Sequence, residues 1–412
     1  MSRSSFAFAA TAYAFVATML GTTLPTPLYP TYQQQLDFGA LTVTIVFATY
    51  AIGVLTALLA FGRASDTVGR RPTLLAGLTA ALVSSAVFLI AAPVHAHAGG
   101  LSLLLVGRFL SGLSAGVFTG TATATLTDFA GNHKMRATVV AAVANIGGLG
   151  LGPLVAGSLA KEASHPLTTP YVVHVVLIVL AVAILLRIPE PVDVRRPRRL
   201  TMQRLGVPPS LRTIFVSAGT AGFAGFAVLG FFTAVTPATL GLLGHHNPLL
   251  TGVVVFVVFA SSAVGQVISI RVPARPALLA GTALLVVGTA VIGLGIGTES
   301  LPVLVAGGVV AGLGQGCSFR AALGAIVGAS PAGQRAAVSS SFFAVCYVGI
   351  SLPVVGIGAS SDAIGLKETA VIFAVAIAVL STIALASLTR TARSTQDHDR
   401  GSRATAGADR SA

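Results

Sequence analysis

A group of charged side chains that could form a reversible ion-pair cluster lies in the segment 62–72, GRASDTVGRRP. Only 9% of the 412 residues are charged, yet this segment holds four charged side chains. Asp66 and Arg70 stand four residues apart, and Asp128 ends an apolar run elsewhere in the chain. Carboxylates and guanidinium groups form strong charge-assisted hydrogen bonds, and glycine permits tight turns. The predicted cluster consists of Gly62, Asp66, Gly69, Arg70, Arg71 and Asp128.

Polar side chains inside long apolar runs form a second group of candidates. Arg108 and Arg320 are its charged members, and His174 carries an imidazole that could hold a proton. Groups of this kind suit the binding of a small molecule or the movement of a proton. The candidates are Tyr50, Arg108, Asn145, His174, Gln266, Gln315 and Arg320, together with Thr22, Thr23 and Tyr347.

Motifs for covalent catalysis are not found in the sequence. It contains no phosphate-binding loop and no nucleophile elbow. The two cysteines, Cys317 and Cys346, lie in apolar runs and lack the spacing of metal ligands. We therefore predict no enzymatic activity, no ATP-driven activity, no metal site and no cofactor. The net charge of +13 comes from scattered arginines rather than one basic surface, so nucleic acid is not a predicted partner.

The elements that position these residues are long apolar segments. Hydrophobic residues make up 54% of the chain, and a transmembrane helix needs about 20 mostly apolar residues. The runs are continuously apolar rather than alternating, which favours helices over a barrel. We predict an all-α polytopic membrane protein with twelve transmembrane helices. The predicted spans are 6–24, 41–61, 73–92, 101–127, 137–160, 171–188, 213–240, 250–270, 276–297, 301–328, 337–359 and 369–389.

The distribution of basic residues predicts the orientation of these helices. If the N-terminus lies inside, 21 of the 25 lysines and arginines fall on the inner side. Lys161 and Lys367 fall outside, and Arg108 and Arg320 lie within spans. This asymmetry follows the positive-inside rule. We therefore expect both termini to be cytoplasmic.

Two related halves are indicated by matches that lie 200 residues apart. Gly112, Gly116 and Pro153 recur as Gly312, Gly316 and Pro353. A six-plus-six repeat is typical of secondary transporters whose halves move around a central site. The predicted units are an N-terminal six-helix bundle, a cytoplasmic linker rich in proline and arginine, a C-terminal six-helix bundle and a disordered tail, at residues 1–188, 189–212, 213–389 and 390–412.

These motifs resemble those of the major facilitator superfamily over residues 6–389. The segment 62–72 is similar to the signature G-x-x-x-D-x-x-G-R-[RK] between helices two and three of that family. Arg108 and Gly112 resemble its R-x-x-x-G pattern in helix four. In helix five, a G-x-x-x-G-P-x-x-x-G pattern resembles that of drug:proton antiporters. The residues that carry this last resemblance are Gly148, Gly152, Pro153 and Gly157.

The resemblance implies the major facilitator fold and transport by alternating access. It also implies that the 62–72 cluster acts as a gate, that Arg108 takes part in proton movement and that the helix-five motif prevents leak. We expect proton-coupled efflux of a small drug-like molecule by a monomer in the inner membrane, with protons and anionic lipids as further partners. Uptake of a nutrient by the same fold and a non-transporting membrane sensor are the alternatives.

Charge inside the membrane leads to an expectation about the substrate. No acidic residue lies in the middle of a predicted span, whereas each intramembrane arginine costs roughly a few kcal/mol unless it is compensated. If Arg108 and Arg320 both face a cavity, we expect neutral or anionic substrates. Alternatively, Arg320 extends to the inner surface. Without a buried carboxylate, His174, Asp37 or the substrate itself would have to carry the proton.

Overall fold

The computed structural model describes residues 3–62, 64–192, 202 and 205–408. Every regular element within these residues is helical, which confirms the predicted all-α class. Twelve of the helices follow the twelve predicted spans. They are α1 Arg3–Thr23, α2 Ala40–Phe61, α3 Arg70–Ala91, α4 His97–Phe129, α5 Lys134–Glu162, α6 Thr169–Leu185, α7 Arg212–Ala234, α8 Pro248–Ser269, α9 Ala274–Gly297, α10 Leu301–Ala329, α11 Arg335–Ile364 and α12 Leu366–Ala408.

Helix α6 is the shortest of the twelve, with 17 residues. At about 1.5 Å per residue it is roughly 25 Å long, which is at the lower end of what spans a bilayer. The eleven other helices are longer and sufficiently apolar to cross a membrane. The described residues thus form a multi-pass membrane protein.

Helix α5 departs from regular geometry in its middle. Residues Val143–Gly147 form a π-helical turn, and Pro153 lies inside the following α-helical part. Proline removes one backbone hydrogen bond of a helix. The corresponding helix of the second half, α11, contains Pro353. The repeat seen in the sequence thus places a proline inside the fifth helix of each half.

The glycine repeats also have the same structural role in both halves. A Cβ atom at Gly112 of α4 would lie 2.1 Å from the carbonyl oxygen of Tyr50 in α2. A Cβ atom at Gly316 of α10 would lie 2.0 Å from the carbonyl oxygen of Ser262 in α8. Such distances leave no room for a side chain. The fourth helix therefore packs directly on the backbone of the second helix in each half.

The two halves contact each other on one side of the molecule. We call the side on which Arg70, Arg71 and Lys134 lie the basic face and the other side the opposite face. Near the opposite face, α5 crosses α8, and a Cβ atom at Gly157 would lie 2.3 Å from the carbonyl oxygen of Pro248. Helices α2 and α11 meet there as well, where Gly358 packs against Thr44. These crossings close the opposite face.

Toward the basic face the two halves separate. Helices α5 and α8 border an open groove, and Val143 and Ile268 on its walls are exposed. On α4, Thr119 lines the central cavity, and Thr123 and Thr127 continue the same helical stripe and are exposed. The structure is therefore closed at the opposite face and open toward the basic face.

The linker and the tail differ in how far the structure describes them. Residues 193–201, 203 and 204 of the predicted linker, and the last four residues of the tail, lie outside the described residues. Helix α12 runs to Ala408. The disorder expected for residues 390–412 stays a prediction. The apolar part that can cross a membrane is Leu366–Arg390.

Candidate functional site

A cavity lies between the two halves near the middle of the helices. Side chains from both halves line it, and concave sites of this kind between helices are where membrane transporters bind small molecules. The first half contributes side chains from α1, α2, α4 and α5, and the second half contributes them from α7, α8, α10 and α11. These are the same four helices of each repeat. A site of this kind is accessible from alternate sides when the two halves rock.

Seven of the 18 residues that line the cavity are aromatic. The ring centroids of Tyr50 in the first half and Tyr347 in the second half are 6.4 Å apart. Phe226 is 5.9 Å from Tyr347 and 5.2 Å from Phe319. Rings at these separations pack against one another, and together they form an apolar wall for the cavity. The aromatic side chains that line the cavity are Phe47, Tyr50, Phe226, Phe259, Phe319, Phe343 and Tyr347.

Arg108 is the one charged side chain among the described residues that line this cavity. It is 1% exposed, and its guanidinium donates to the carbonyl oxygen of Thr22 at 2.5 Å and to that of Phe47 at 3.5 Å. The rings of Tyr50 and Phe47 lie 4.9 and 5.6 Å from its Cζ atom. Cation–π contacts and carbonyl groups offset part of the cost of burying the charge. In the described structure no carboxylate pairs with it.

Several of the predicted cavity residues are brought together by the structure. Tyr50, Asn145 and Arg108 line the cavity, as do the threonines at 22 and 23 and Tyr347. The sequence predicted the helices that carry these residues. The packing of the two halves determines which face of each helix lines the cavity. The larger contribution of phenylalanine was not predicted, because an apolar ring in a membrane helix carries no signal of what it contacts.

Gln266 and Gln315 lie outside the cavity lining. Both are buried within the C-terminal half, and the amide oxygen of Gln315 accepts a hydrogen bond from Ser262 at 2.5 Å. The side chain of Gln315 also fills the space beside Gly225. The structure therefore places these two glutamines in contacts between helices rather than at the central cavity.

Arg320 does not line the cavity either. It is half-buried on α10, nine residues before the end of that helix at the basic face. Within the described part of the chain, its guanidinium has no carboxylate partner. This position agrees with the alternative that its long side chain extends toward the basic face. Of the two intramembrane arginines, only Arg108 faces the central cavity.

His174 lies behind the cavity, inside the N-terminal half. It is 3% exposed, and its Nδ1 and Nε2 atoms lie 2.7 Å from Ser85 Oγ and 3.1 Å from the carbonyl oxygen of Ala17. Asp37, the other predicted proton carrier, is exposed at the end of a short helix that follows α1. The structure thus separates the two residues that the sequence left as alternatives.

The charged residues of segment 62–72 form a cluster at the basic face. Arg70 donates from Nη1 to Asp66 at 2.7 Å and from Nε to Asp128 at 3.1 Å. The same Nη1 atom lies 2.7 Å from Ser65 Oγ. Arg70 therefore joins the end of α4 to the segment between α2 and α3, and Asp128 is the partner that the topology predicts.

Glu190 completes this cluster and was missed by the sequence analysis. Its two carboxylate oxygens accept the backbone N–H groups of Arg70 and Arg71 at 2.8 and 2.9 Å. A carboxylate at a helix N-terminus satisfies free donors and complements the helix dipole. Gly69 has a φ of 113°, and a side chain there would press on Glu190. In the sequence, the only indication of this role for Glu190 was its position just beyond the sixth predicted span.

All these partners belong to the N-terminal half. The cluster ties α3 and α4 to the segment after α6, and Arg71 adds a bond to the carbonyl oxygen of Leu186 at 2.6 Å. None of the contacts described for it reaches the C-terminal half. In this conformation the described contacts of the cluster hold the N-terminal half together and do not join it to the C-terminal half. Its role as a gate remains a prediction.

Replacing Asp66 with asparagine should lower transport while leaving membrane insertion unchanged. Asp66 is 63% exposed, whereas Arg70 is 14% exposed. Since an exposed ion pair contributes roughly 0–1 kcal/mol, we expect about a fivefold lower initial rate in vesicles. Glu162→Gln is the matched control, because Glu162 pairs with Lys161 at the opposite face. Equal rates for wild type and Asp66→Asn, measured at equal abundance, would contradict the predicted gate.

The helix-five motif makes two different contacts. Cβ atoms at Gly148 and Gly152 would collide with the backbone of α1, so these glycines pack inside the N-terminal half. Gly157 and Pro153 instead lie against α8, where Gly252 packs on the carbonyl oxygen of Pro153. The motif therefore fixes α5 against α1 and also forms the crossing between the halves at the opposite face.

The family to which the chain belongs is shown by its match to a family profile. The profile of the Major Facilitator Superfamily matches residues 11–353. The chain belongs to the Major Facilitator Superfamily. This membership confirms the predicted fold.

Individual relatives within this superfamily match only parts of the chain. An uncharacterized MFS-type transporter of Salmonella typhimurium is 30% identical over 217 residues, which are 52% of this chain and 54% of the relative. The multidrug resistance protein MdtL of Salmonella dublin is 38% identical over 96 residues, 23% of this chain and 22% of the relative. MdtL of Klebsiella pneumoniae is 34% identical over 87 residues, 21% of this chain and 20% of the relative.

A solved structure matches nearly the whole chain. The crystal structure of the human organic anion transporter MFSD10 (TETRAN) aligns with a TM-score of 0.66, covering 94% of this chain and 100% of that one. The two sequences are 18% identical. This likeness shows that the two proteins share the fold.

Proposed function

We propose that this superfamily member exports small aromatic compounds that are neutral or anionic, in exchange for protons. The observation that carries the proposal is the aromatic cavity between the halves, whose one charged lining residue among those described is Arg108. The cavity suits a largely apolar ligand. Its charge favours a substrate with electron-rich or anionic groups.

The magnitude of this charge preference follows from Coulomb's law. Two unit charges about 5 Å apart interact by roughly 3 kcal/mol at an effective dielectric constant of ~20. That energy corresponds to about a hundredfold change in affinity. A cationic compound would experience this as repulsion from Arg108, since no carboxylate in the described structure offsets the charge. An anionic compound would gain a similar amount, less the cost of its desolvation.

The direction of transport rests on several supporting observations. The positive-inside rule assigns the basic face to the cytoplasm, so the cavity of this conformation opens inward and both termini are cytoplasmic. The glycine crossing of α5 and α8 seals the outer side. MdtL is named a multidrug resistance protein, and MFSD10 an organic anion transporter. We therefore place the protein in the inner membrane as a monomer, with anionic lipids at its basic face.

The test is flux into everted membrane vesicles, in which an exporter pumps its substrate inward. The probes are chloramphenicol, which is neutral, and sulforhodamine B, which is anionic. We expect accumulation of at least one probe that requires an acidic vesicle interior and stops when the pH gradient is collapsed. Accumulation only in right-side-out vesicles would indicate uptake instead. No flux of either probe in either orientation would contradict transport of this substrate class.

A further inference from the structure

We propose that His174 is the proton-binding site of this transporter and that it responds to the central cavity through a small polar cavity around Thr22. This inference rests on the proton coupling in the proposed function. His174 is the one histidine, aspartate or glutamate within any of the twelve apolar spans predicted from the sequence. Imidazole is also the side chain whose ordinary protonation equilibrium lies closest to physiological pH.

The hydrogen-bond partners of His174 can satisfy the ring in both protonation states. The carbonyl oxygen of Ala17 can only accept, so the 3.1 Å contact requires a hydrogen on Nε2. The partner of Nδ1 is the hydroxyl of Ser85 at 2.7 Å, which can donate or accept. In the neutral ring, Ser85 donates to the Nδ1 lone pair. In the protonated ring, Nδ1–H donates to Ser85 Oγ.

Proton binding therefore needs only a small rearrangement. A new N–H bond forms at Nδ1, and the Ser85 hydroxyl rotates so that its hydrogen turns toward another acceptor, such as the carbonyl oxygen four residues earlier in α3. Release reverses both movements and returns the proton to water. The imidazole ring fits at this position because residue 21 is a glycine. A Cβ atom at residue 21 would lie 2.1 Å from His174 Cε1.

A small polar cavity lies between this imidazole and Thr22. His174, Thr22 and Ser111 are among its lining residues. Ser111 is 4% exposed, and its hydroxyl has no hydrogen-bond partner in the described structure, which a bound water would supply. Thr22 also lines the central cavity, and its carbonyl oxygen accepts from Arg108.

The surroundings of His174 hold few other titratable groups. Helices α1, α3 and α5 pack against α6. Of these, α1 contributes Tyr13, which donates to the carbonyl oxygen of Leu177, and the apolar parts of α3 and α5 contribute no ionisable side chain. Tyr171 lies one turn away on α6, and Arg108 lies across the polar cavity. Among the described residues no carboxylate faces the ring, so His174 is the one group of this region that can take up a proton.

The direction of the conformational effect follows from the exchange of substrate for protons. An exporter must return from the outward-open to the inward-open state with a proton and without substrate. We infer that proton binding promotes this return by favouring the inward-open, externally closed state, which is the state of this structure. Here both ring nitrogens face oxygen atoms that can accept hydrogen bonds, as the charged ring requires.

The experiment measures the external opening directly and needs no substrate. Nitroxide labels are attached to cysteines in His95→Cys and His246→Cys, which are exposed on the opposite face in the two halves, after Cys317→Ala and Cys346→Ala. Electron–electron distances are recorded between pH 8 and pH 5 in detergent. We expect the closed population to rise at least tenfold, relative to the open one, as the pH falls. In His174→Gln this response should be lost, whereas His165→Gln, an exposed histidine of the same face, should retain it.

A second pair of variants keeps the proposal testable if His174→Gln does not fold. Ser85→Ala removes the partner of Nδ1, and the charged ring loses more from this than the neutral ring because charge-assisted bonds are stronger. The midpoint of the pH response should fall by roughly half a pH unit. Thr79→Ala is the control on the same helix, since Thr79 donates to the carbonyl oxygen of Leu75 and does not line the polar cavity.

Two results would overturn the proposal. They are a wild-type opening that does not depend on pH, and a pH response that persists unchanged in His174→Gln and in Ser85→Ala. Either result leaves the flux measurements in everted vesicles untouched. Failure of the proton site is thereby distinguished from failure of the proposed export.

Discussion

Replacement of Arg108 with methionine is expected to lower transport of sulforhodamine B about a hundredfold. Methionine keeps much of the volume but removes the one charge among the described cavity residues, which contributes roughly 3 kcal/mol toward an anion about 5 Å away. It also leaves the carbonyl oxygens of Thr22 and Phe47 without the donor they now have. Unpaired buried acceptors cost about 1–3 kcal/mol each. Initial rates in everted vesicles at equal abundance measure the effect.

Two further variants separate the charge of Arg108 from its geometry. Arg108→Lys keeps the charge but loses the planar fork that reaches two carbonyl oxygens, so we expect a rate between wild type and Arg108→Met. Arg320→Met is the matched control, because it removes the other intramembrane arginine, which does not line the cavity. Its rate should stay within about twofold of wild type, the range of a surface substitution. A wild-type rate of sulforhodamine B transport in Arg108→Met would show that Arg108 does not determine the charge preference.

Gly157→Leu should give the second large effect, by preventing closure of the outer side. A Cβ atom at this position would lie 2.3 Å from the carbonyl oxygen of Pro248, so α5 and α8 must move apart. Overpacking of this kind costs typically 1–3 kcal/mol or more, which shifts a two-state population roughly tenfold to a hundredfold. We expect transport to fall to a similar degree and the cavity to become accessible from outside.

Accessibility can be measured with a cysteine in the cavity lining. Asn145→Cys, in a chain without its two native cysteines, is treated with a membrane-impermeant maleimide added from the outside. Gly157→Leu should raise the labelling rate about tenfold or more. Gly147→Leu is the control on the same helix, since its nearest neighbour to a Cβ is Val143 at 3.8 Å. Equal labelling rates for the two glycine variants would show that the crossing is not the outer seal.

The sequence predicted the helices well because a membrane span has a simple physical signature. A continuous apolar run can be recognised as a span without knowing what it packs against. Even α6, which has only 17 residues, was predicted in this way. The charge cluster was also predictable, since Arg70 and Asp128 lie at helix ends that reach the same face. Glu190 was missed because it lies in a proline-rich segment whose path back to α3 is set by the fold.

The cavity itself was less predictable. These helices are apolar on all sides, so the sequence does not show which face turns inward. Gln315 and Arg108 are both polar residues within a fourth helix of a half, yet one packs against Ser262 and the other reaches the cavity. The two intramembrane arginines differ in the same way. Which side chains meet depends on how the two halves pack, and this arrangement is a property of the whole chain.

The charge preference of the cavity is the central claim, and competition between dyes tests it most directly. Sulforhodamine B and rhodamine 6G share a xanthene ring system, but the first has a net negative charge and the second is a permanent cation. Initial rates of both dyes are measured together in everted vesicles with an acidic interior. The aromatic cavity with Arg108 predicts that sulforhodamine B is transported at least tenfold faster, a conservative part of the hundredfold expected from ~3 kcal/mol. Faster transport of rhodamine 6G would contradict the account.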